Sequence, residues 1–160
     1  MNKSTIVHDT FVIERTYPVP PSRVFAAFAD GDLKRRWFVI DGSMATTLTY
    51  ENDFRVGGRE TSRSRFKDNS LGGSPPGTVM GNDTVYMDIV DNERIVFAYS
   101  MLVGDYRMST SLATIALVPE GKGTRLVFTE QAVFYEKSDG LEMRKQGWTY
   151  LFGKLADAIA

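Results

Sequence analysis

The side chains that carry most enzyme chemistry are scarce in this chain. There is no cysteine, and the one histidine is His8. The first fact excludes disulfides, thiolate nucleophiles and cysteine-ligated zinc. The second leaves Ser–His, Cys–His and histidine-rich metal arrangements without their base or ligand, because His8 lies in a polar N-terminal stretch and reads as a solvated tail residue. General acid–base work would fall to carboxylates or tyrosine with pKa values shifted by burial, Glu60, Glu130 and Tyr99 being the candidates. No catalytic motif supports such a role, and no residue is assigned one. No metal or cofactor is expected.

The alternation of strands gives these polar residues a place. On the segment Glu93 to Leu102, Ile95, Phe97, Tyr99 and Met101 share a face. Further on, Arg107, Ser109 and Ser111 share one with Ala113, Ile115 and Leu117, and Glu130 shares one with Leu126 and Phe128. Glu60, Ser62, Ser64 and Phe66 alternate with Arg59, Thr61, Arg63 and Arg65. One bulge would invert any of these faces. Each strand runs from apolar to polar along what should be its inward side, and a fully packed core has no use for unpaired charge. Two readings follow for Glu60, Arg107 and Glu130: they orient a polar group on an otherwise apolar ligand, or they meet solvent at sheet ends as ordinary ion pairs. Trp37, Phe97, Tyr99, Met101, Trp148 and Phe152 are the apolar lining candidates, with plain core packing as the alternative. The alternating arginines read as a solvated outer face.

The elements that must position these residues are legible from period and punctuation. Thr10 to Tyr17 is rich in β-branched and aromatic residues and predicts a strand, with residues 1–9 a flexible tail. Pro20-Pro21-Ser22 opens a helix carrying Val24, Phe25 and Phe28, and Gly31 ends it. A second short helix, Asp32 to Phe38, buries Leu33, Trp37 and Phe38. Strands follow at Met44 to Glu51, Arg59 to Phe66, Thr78 to Val90, Glu93 to Leu102, Tyr106 to Val118 and Thr124 to Tyr135. Most joints between them are short, which predicts an antiparallel meander. The long one, Lys67 to Gly77, reads as a mobile tip, with a flap over one end of the sheet as the alternative. Asp139, with Glu142 three residues on, predicts a capped helix burying Leu141, Trp148, Leu151, Phe152, Leu155 and Ile159. Gly147 and Gly153 inside it cost about 1 kcal/mol each relative to alanine. They imply either a close approach by another element or open space.

With 160 residues, 42% hydrophobic, 24% charged and a net charge of −1, the chain reads as one domain, residues 1–160, of an ordinary soluble protein. The near-neutral charge argues against a nucleic-acid binder. No apolar run has the length of a membrane span, and a cytoplasmic location is expected. A sheet with one apolar face needs a partner of matching size, and only the C-terminal helix has it. The expected class is α+β: a curved antiparallel sheet of about seven strands around a long C-terminal helix, with two short helices after the first strand.

In this order the sequence resembles the SRPBCC (START-like) superfamily with its helix-grip fold, and within it the subfamily named after the activator of heat-shock protein 90 ATPase. The stretches PVPPSRVFAAFADGDLKRRWF, DFRVGGR, DIVDNERIVFAY and GTRLVFTE carry the likeness, together with Gly147-Trp148 in the last helix. Asp91-Asn92 stands where a proline-rich turn is common. The resemblance implies a cavity between sheet and helix that holds lipids, polyketides, hormones or other small apolar or amphipathic molecules. It also leaves open an enzyme of cyclase or hydrolase type, and a co-chaperone or stress-response adaptor that contacts a chaperone or other protein. The adaptor reading is weakened because the separate chaperone-contacting N-terminal domain of the eukaryotic activator has no room here. The sequence leaves the oligomeric state open, a homodimer being one option.

Overall fold

The structure is a computed structural model and describes residues 5–67 and 75–160. The loop expectation for Lys67 to Gly77 falls mostly on residues outside that set. Strand β1 (Val7–Tyr17) leads into helices α1 (Pro21–Ala29) and α2 (Gly31–Phe38). Six strands follow: β2 (Ala45–Asn52), β3 (Arg59–Phe66), β4 (Val79–Val90), β5 (Arg94–Val103), β6 (Tyr106–Glu120) and β7 (Gly123–Phe134). Helix α3 (Leu141–Ile159) closes the order. The seven strands form one antiparallel sheet in the order β1-β7-β6-β5-β4-β3-β2, so the meander holds and β1 returns to the edge beside β7. This is the α+β arrangement that the periodicity predicts and the helix-grip fold that the resemblance implies.

Local chemistry explains the joints. Pro21 occupies the first turn of α1, where its missing N–H costs nothing. Asp30, one residue before the expected Gly31, both ends α1 and caps α2, its carboxylate accepting from the N–H groups of Asp32 (2.9 Å) and Leu33 (3.1 Å). Strand β1 begins three residues earlier than its composition suggests. His8 pairs with Val133 in this edge strand, with its side chain exposed, so the predicted tail is shorter than residues 1–9.

Two further expectations fail for identifiable reasons. Asp139 does not cap α3: the helix starts after Gly140, and no side chain caps it. The Asp139 carboxylate is instead taken by Arg144, at 3.1 Å from Nε and 3.0 Å from Nη2. Arg107 does not point inward. The register between β5 and β6 slips so that Met101 faces Ser109 while Leu102 faces Arg107, which leaves Met108 as the extra residue. Met108 and Ser109 are both buried and Arg107 is exposed. A bulge of one residue inverts everything beyond it.

The core lies between the concave sheet face and the three helices. Tyr17, Trp37, Ile95, Ile115, Leu126, Phe128, Phe152 and Leu155 are all nearly or fully excluded from solvent. Tyr17 donates its hydroxyl to the carbonyl of Phe152 (3.0 Å), and the indole N–H of Trp37 donates to the carbonyl of Ala27 (2.8 Å). Burial thus costs neither ring an unpaired donor.

Candidate functional site

The concave face changes character along its length. One transverse row, read across β5, β6, β7 and β1, is Ile95, Ile115, Phe128 and Ile13. The next, starting from β4, is Tyr86, Phe97, Ala113, Glu130 and Phe11. Beyond these, Glu60, Thr84, Tyr99 and Ser111 form one row across β3 to β6, and Ser62, Asn82, Met101 and Ser109 form the next. The sheet is therefore apolar under the C-terminal part of α3 and largely polar under its beginning.

Aromatic rings fill the space beneath α3. Trp148 projects onto the sheet with its ring centroid 4.6 Å from Phe128, 5.5 Å from Phe152, and 6.2 Å from both Phe97 and Tyr99. Phe152 continues the layer to Trp37 at 6.5 Å, with both ring pairs close to parallel. Five of the predicted lining residues are thereby brought together: Trp37, Phe97, Tyr99, Trp148 and Phe152. Met101, half-buried, packs at the rim of the same cluster.

The polar half is organised by an arginine that the sequence reading passed over. Arg144 is 4% exposed and uses its whole guanidinium. Nε and Nη2 fork onto Asp139, Nη2 also donates to Ser109 (2.7 Å), and Nη1 donates to Glu130 (3.1 Å) and Tyr99 (3.2 Å). Glu130 is fully buried and accepts in addition from Tyr99 (2.6 Å) and Ser111 (2.9 Å). The Trp148 indole N–H donates to the Tyr99 hydroxyl (3.1 Å). Burial, ahead of the nearby charges, holds the Tyr99 hydroxyl well above the usual phenol range. Burial alone would lower Arg144, but Tyr99, Asp139 and Glu130 outweigh it and raise it. The guanidinium and the phenol are thus held protonated at neutral pH. The donor hydrogens of Arg144, Tyr99, Ser111 and Trp148 are all committed, so the cluster fastens α3 to the sheet, and a ligand group that draws on them must displace a partner.

Glu60 belongs to a second buried cluster, built around Lys34 of α2. The Lys34 ammonium is 3.0 Å from Glu60 Oε2, with both side chains almost fully buried. Tyr50 donates to the same oxygen at 2.8 Å, and Tyr86 lies 3.4 Å from it while donating to Asn52 at 2.8 Å. Burial first, then the Glu60 charge, pushes both hydroxyls far above the ordinary tyrosine value. Phe38, Trp37 and Phe28 surround the ammonium at 4.5, 5.2 and 5.4 Å from their centroids. The sequence reading placed Leu33 on the buried side of α2. Leu33 is half-buried, and Lys34, three residues before Trp37 and so on its face, goes in instead. Arg144, four residues before Trp148, carried the same signal on α3.

Among the described residues no buried side-chain nitrogen or oxygen lacks a hydrogen-bond partner. Of the arginine stripe on β3, Arg63 pairs with Asp83 across to β4 (3.0 Å), while Arg59 and Arg65 are exposed. Open depressions on the surface of the described residues include one of about 480 Å³ along α3, lined by Glu142, Lys145, Gln146, Thr149 and Tyr150, and one of about 360 Å³ over the β2–β3 turn. No helix is long and apolar enough to cross a membrane, among the described residues.

Comparison with known proteins places this geometry. No curated protein matches the chain. The crystal structure of protein Mll3558 from Rhizobium loti is 43% identical and superposes with a TM-score of 0.81, covering 96% of this chain and 99% of that one. An uncharacterised protein from Rhizobium leguminosarum is 37% identical with a TM-score of 0.84, covering 99% and 98%. CalU16 from Micromonospora echinospora shares the fold at 16% identity, with a TM-score of 0.63 and coverage of 99% and 85%. The family model described as Activator of Hsp90 ATPase homolog 1-like protein matches residues 18–160, from the proline that ends β1 to the last residue of the chain, and the chain belongs to that family.

Proposed function

We propose that this protein binds a small amphipathic molecule between the concave sheet face and α3. The observation that carries the reading is the change from apolar to polar rows along one inward face beneath one helix. A domain that needed only a core would continue the apolar rows, since burying charged pairs rarely adds net stability over well-packed hydrophobic residues. The aromatic layer around Trp148 offers the ligand's apolar body flat surfaces. The polar rows with Thr84, Asn82, Tyr99 and Ser111 face its polar end, which would exchange with the hydrogen bonds these groups now make among themselves and to Glu130. Trp37, Glu60, Phe97, Met101, Glu130, Trp148 and Phe152 belong to this proposed lining. Arg107, exposed beyond the bulge, stands apart from it.

Rings now occupy the interior, so binding must move some of them. Trp148 and the half-buried Phe38, whose centroids are 6.4 Å apart, stand at the junction of α3, α2 and the sheet. The test is a thermal melt against a panel of decanoate, 2-naphthol and related apolar compounds, read together with tryptophan emission. A true ligand at a hundred times its Kd should raise Tm by roughly 5–10 °C and shift the emission of Trp37 and Trp148. If no compound moves either signal, the reading is wrong.

A further inference from the structure

Lys34 is the buried cation whose hydrogen-bonding capacity is not used up. An ammonium has three N–H donors, and among the described residues Lys34 has one polar partner, Glu60 at 3.0 Å. Its other sides face Phe28, Trp37 and Phe38. Arg144 differs, because each of its nitrogens is held by a hydrogen-bonding partner. The wall nearest the ammonium, Phe38, is half-buried and stands between Tyr50 and Trp148, at 6.2 and 6.4 Å from their rings. An aromatic ring of a ligand in the place of Phe38 would have the same two rings as neighbours.

We propose that Lys34 recognises the ligand's polar atom, and that this atom is a neutral acceptor oxygen, a carbonyl attached to a flat aromatic body. The proposal rests on the binding reading above and names its ligand class. Glu60 already balances the Lys34 charge, so an anionic ligand would bring a second negative charge beside that carboxylate in a poorly solvated place. A cationic ligand would meet the ammonium itself. A carbonyl accepts one spare N–H and disturbs neither charge, while rings of Trp37, Phe152 and Trp148, near-parallel in succession, suit a planar body.

Four probes of one shape test this by tryptophan fluorescence or calorimetry on the intact chain: 2-acetylnaphthalene, 2-ethylnaphthalene, 2-naphthoate and 2-(aminomethyl)naphthalene. The ketone should bind about tenfold tighter than the ethyl compound, the scale of one hydrogen bond to a charged group, and tighter than both charged probes. In the double variant Lys34→Met with Glu60→Gln, which leaves no unpaired charge, the ketone should lose its advantage over the ethyl compound, the two binding equally. Equal binding of ketone and ethyl compound by the wild-type chain, or tighter binding of naphthoate, overturns this proposal and leaves the binding reading standing. Failure of all four probes overturns this proposal as well, and the binding reading falls with it only if the wider panel also fails. The wild-type comparison decides the question even if the double variant does not fold.

Discussion

At the scale of single residues, Arg144 and Lys34 account for most of what is unusual here. Both are cations on helix faces otherwise given to rings, and both are buried because a carboxylate on the sheet waits for them. Removing one member of such a pair strands the other. Arg144→Met should therefore cost about 3–5 kcal/mol in urea unfolding. Adding Glu130→Gln should return a substantial part of the loss, because the amide needs no counter-charge. Additive effects in that double-mutant cycle would show that the pair is not coupled. The inward carboxylates Glu60 and Glu130 and the ring at Tyr99 were legible from alternation alone. The two cations were not, because a charged residue on a helix face normally marks its solvent border.

The elements were easier to read than their ends. Strand type, order and antiparallel pairing follow from alternation and short turns, and all of these are present in the sheet. The misjudged details, the Asp139 cap and the inward Arg107, each depended on a contact that local patterning does not record: the Arg144 guanidinium that takes the Asp139 carboxylate, and a one-residue slip against β5. The α3 glycines are resolved in favour of open space, since a Cβ at Gly147 or Gly153 would meet nothing within 4 Å. Their cost is then purely conformational. Gly147→Ala and Gly153→Ala should each stabilise the protein by about 0.5–1 kcal/mol, measured by the urea midpoint at unchanged m. Destabilisation by either would mean that another body comes close to α3 there.

For the molecule as a whole, buried phenols set the alkaline limit. Tyr17, Tyr50, Tyr86 and Tyr99 all have pKa values raised above the ordinary tyrosine value, chiefly by burial. An unfolded tyrosine releases its proton near pH 10, whereas the folded ones keep theirs. The unfolded state then binds fewer protons, so stability is complete below about pH 10 and falls as pH rises further. Urea unfolding followed from about pH 8 to about pH 11.5 should show this decline. A Tyr17→Phe variant should reduce its slope by about one proton. A flat profile through that range would contradict the burial of these hydroxyls.

What the sequence determined by itself is the frame: a strand, two short helices, a six-strand meander and one long helix, with the face of most strands that turns inward. These depend on neighbours two to four residues apart, and such spacings are visible in a single chain. What only the tertiary structure decided is the partnership of distant charges and the use of interior space. Arg144 meets Glu130 and Tyr99, Lys34 meets Glu60, and Trp148 closes over Phe128, once the sheet has curled beneath α3. A buried charge is tolerable only when a counter-charge arrives from elsewhere in the chain, and no local pattern records that arrival.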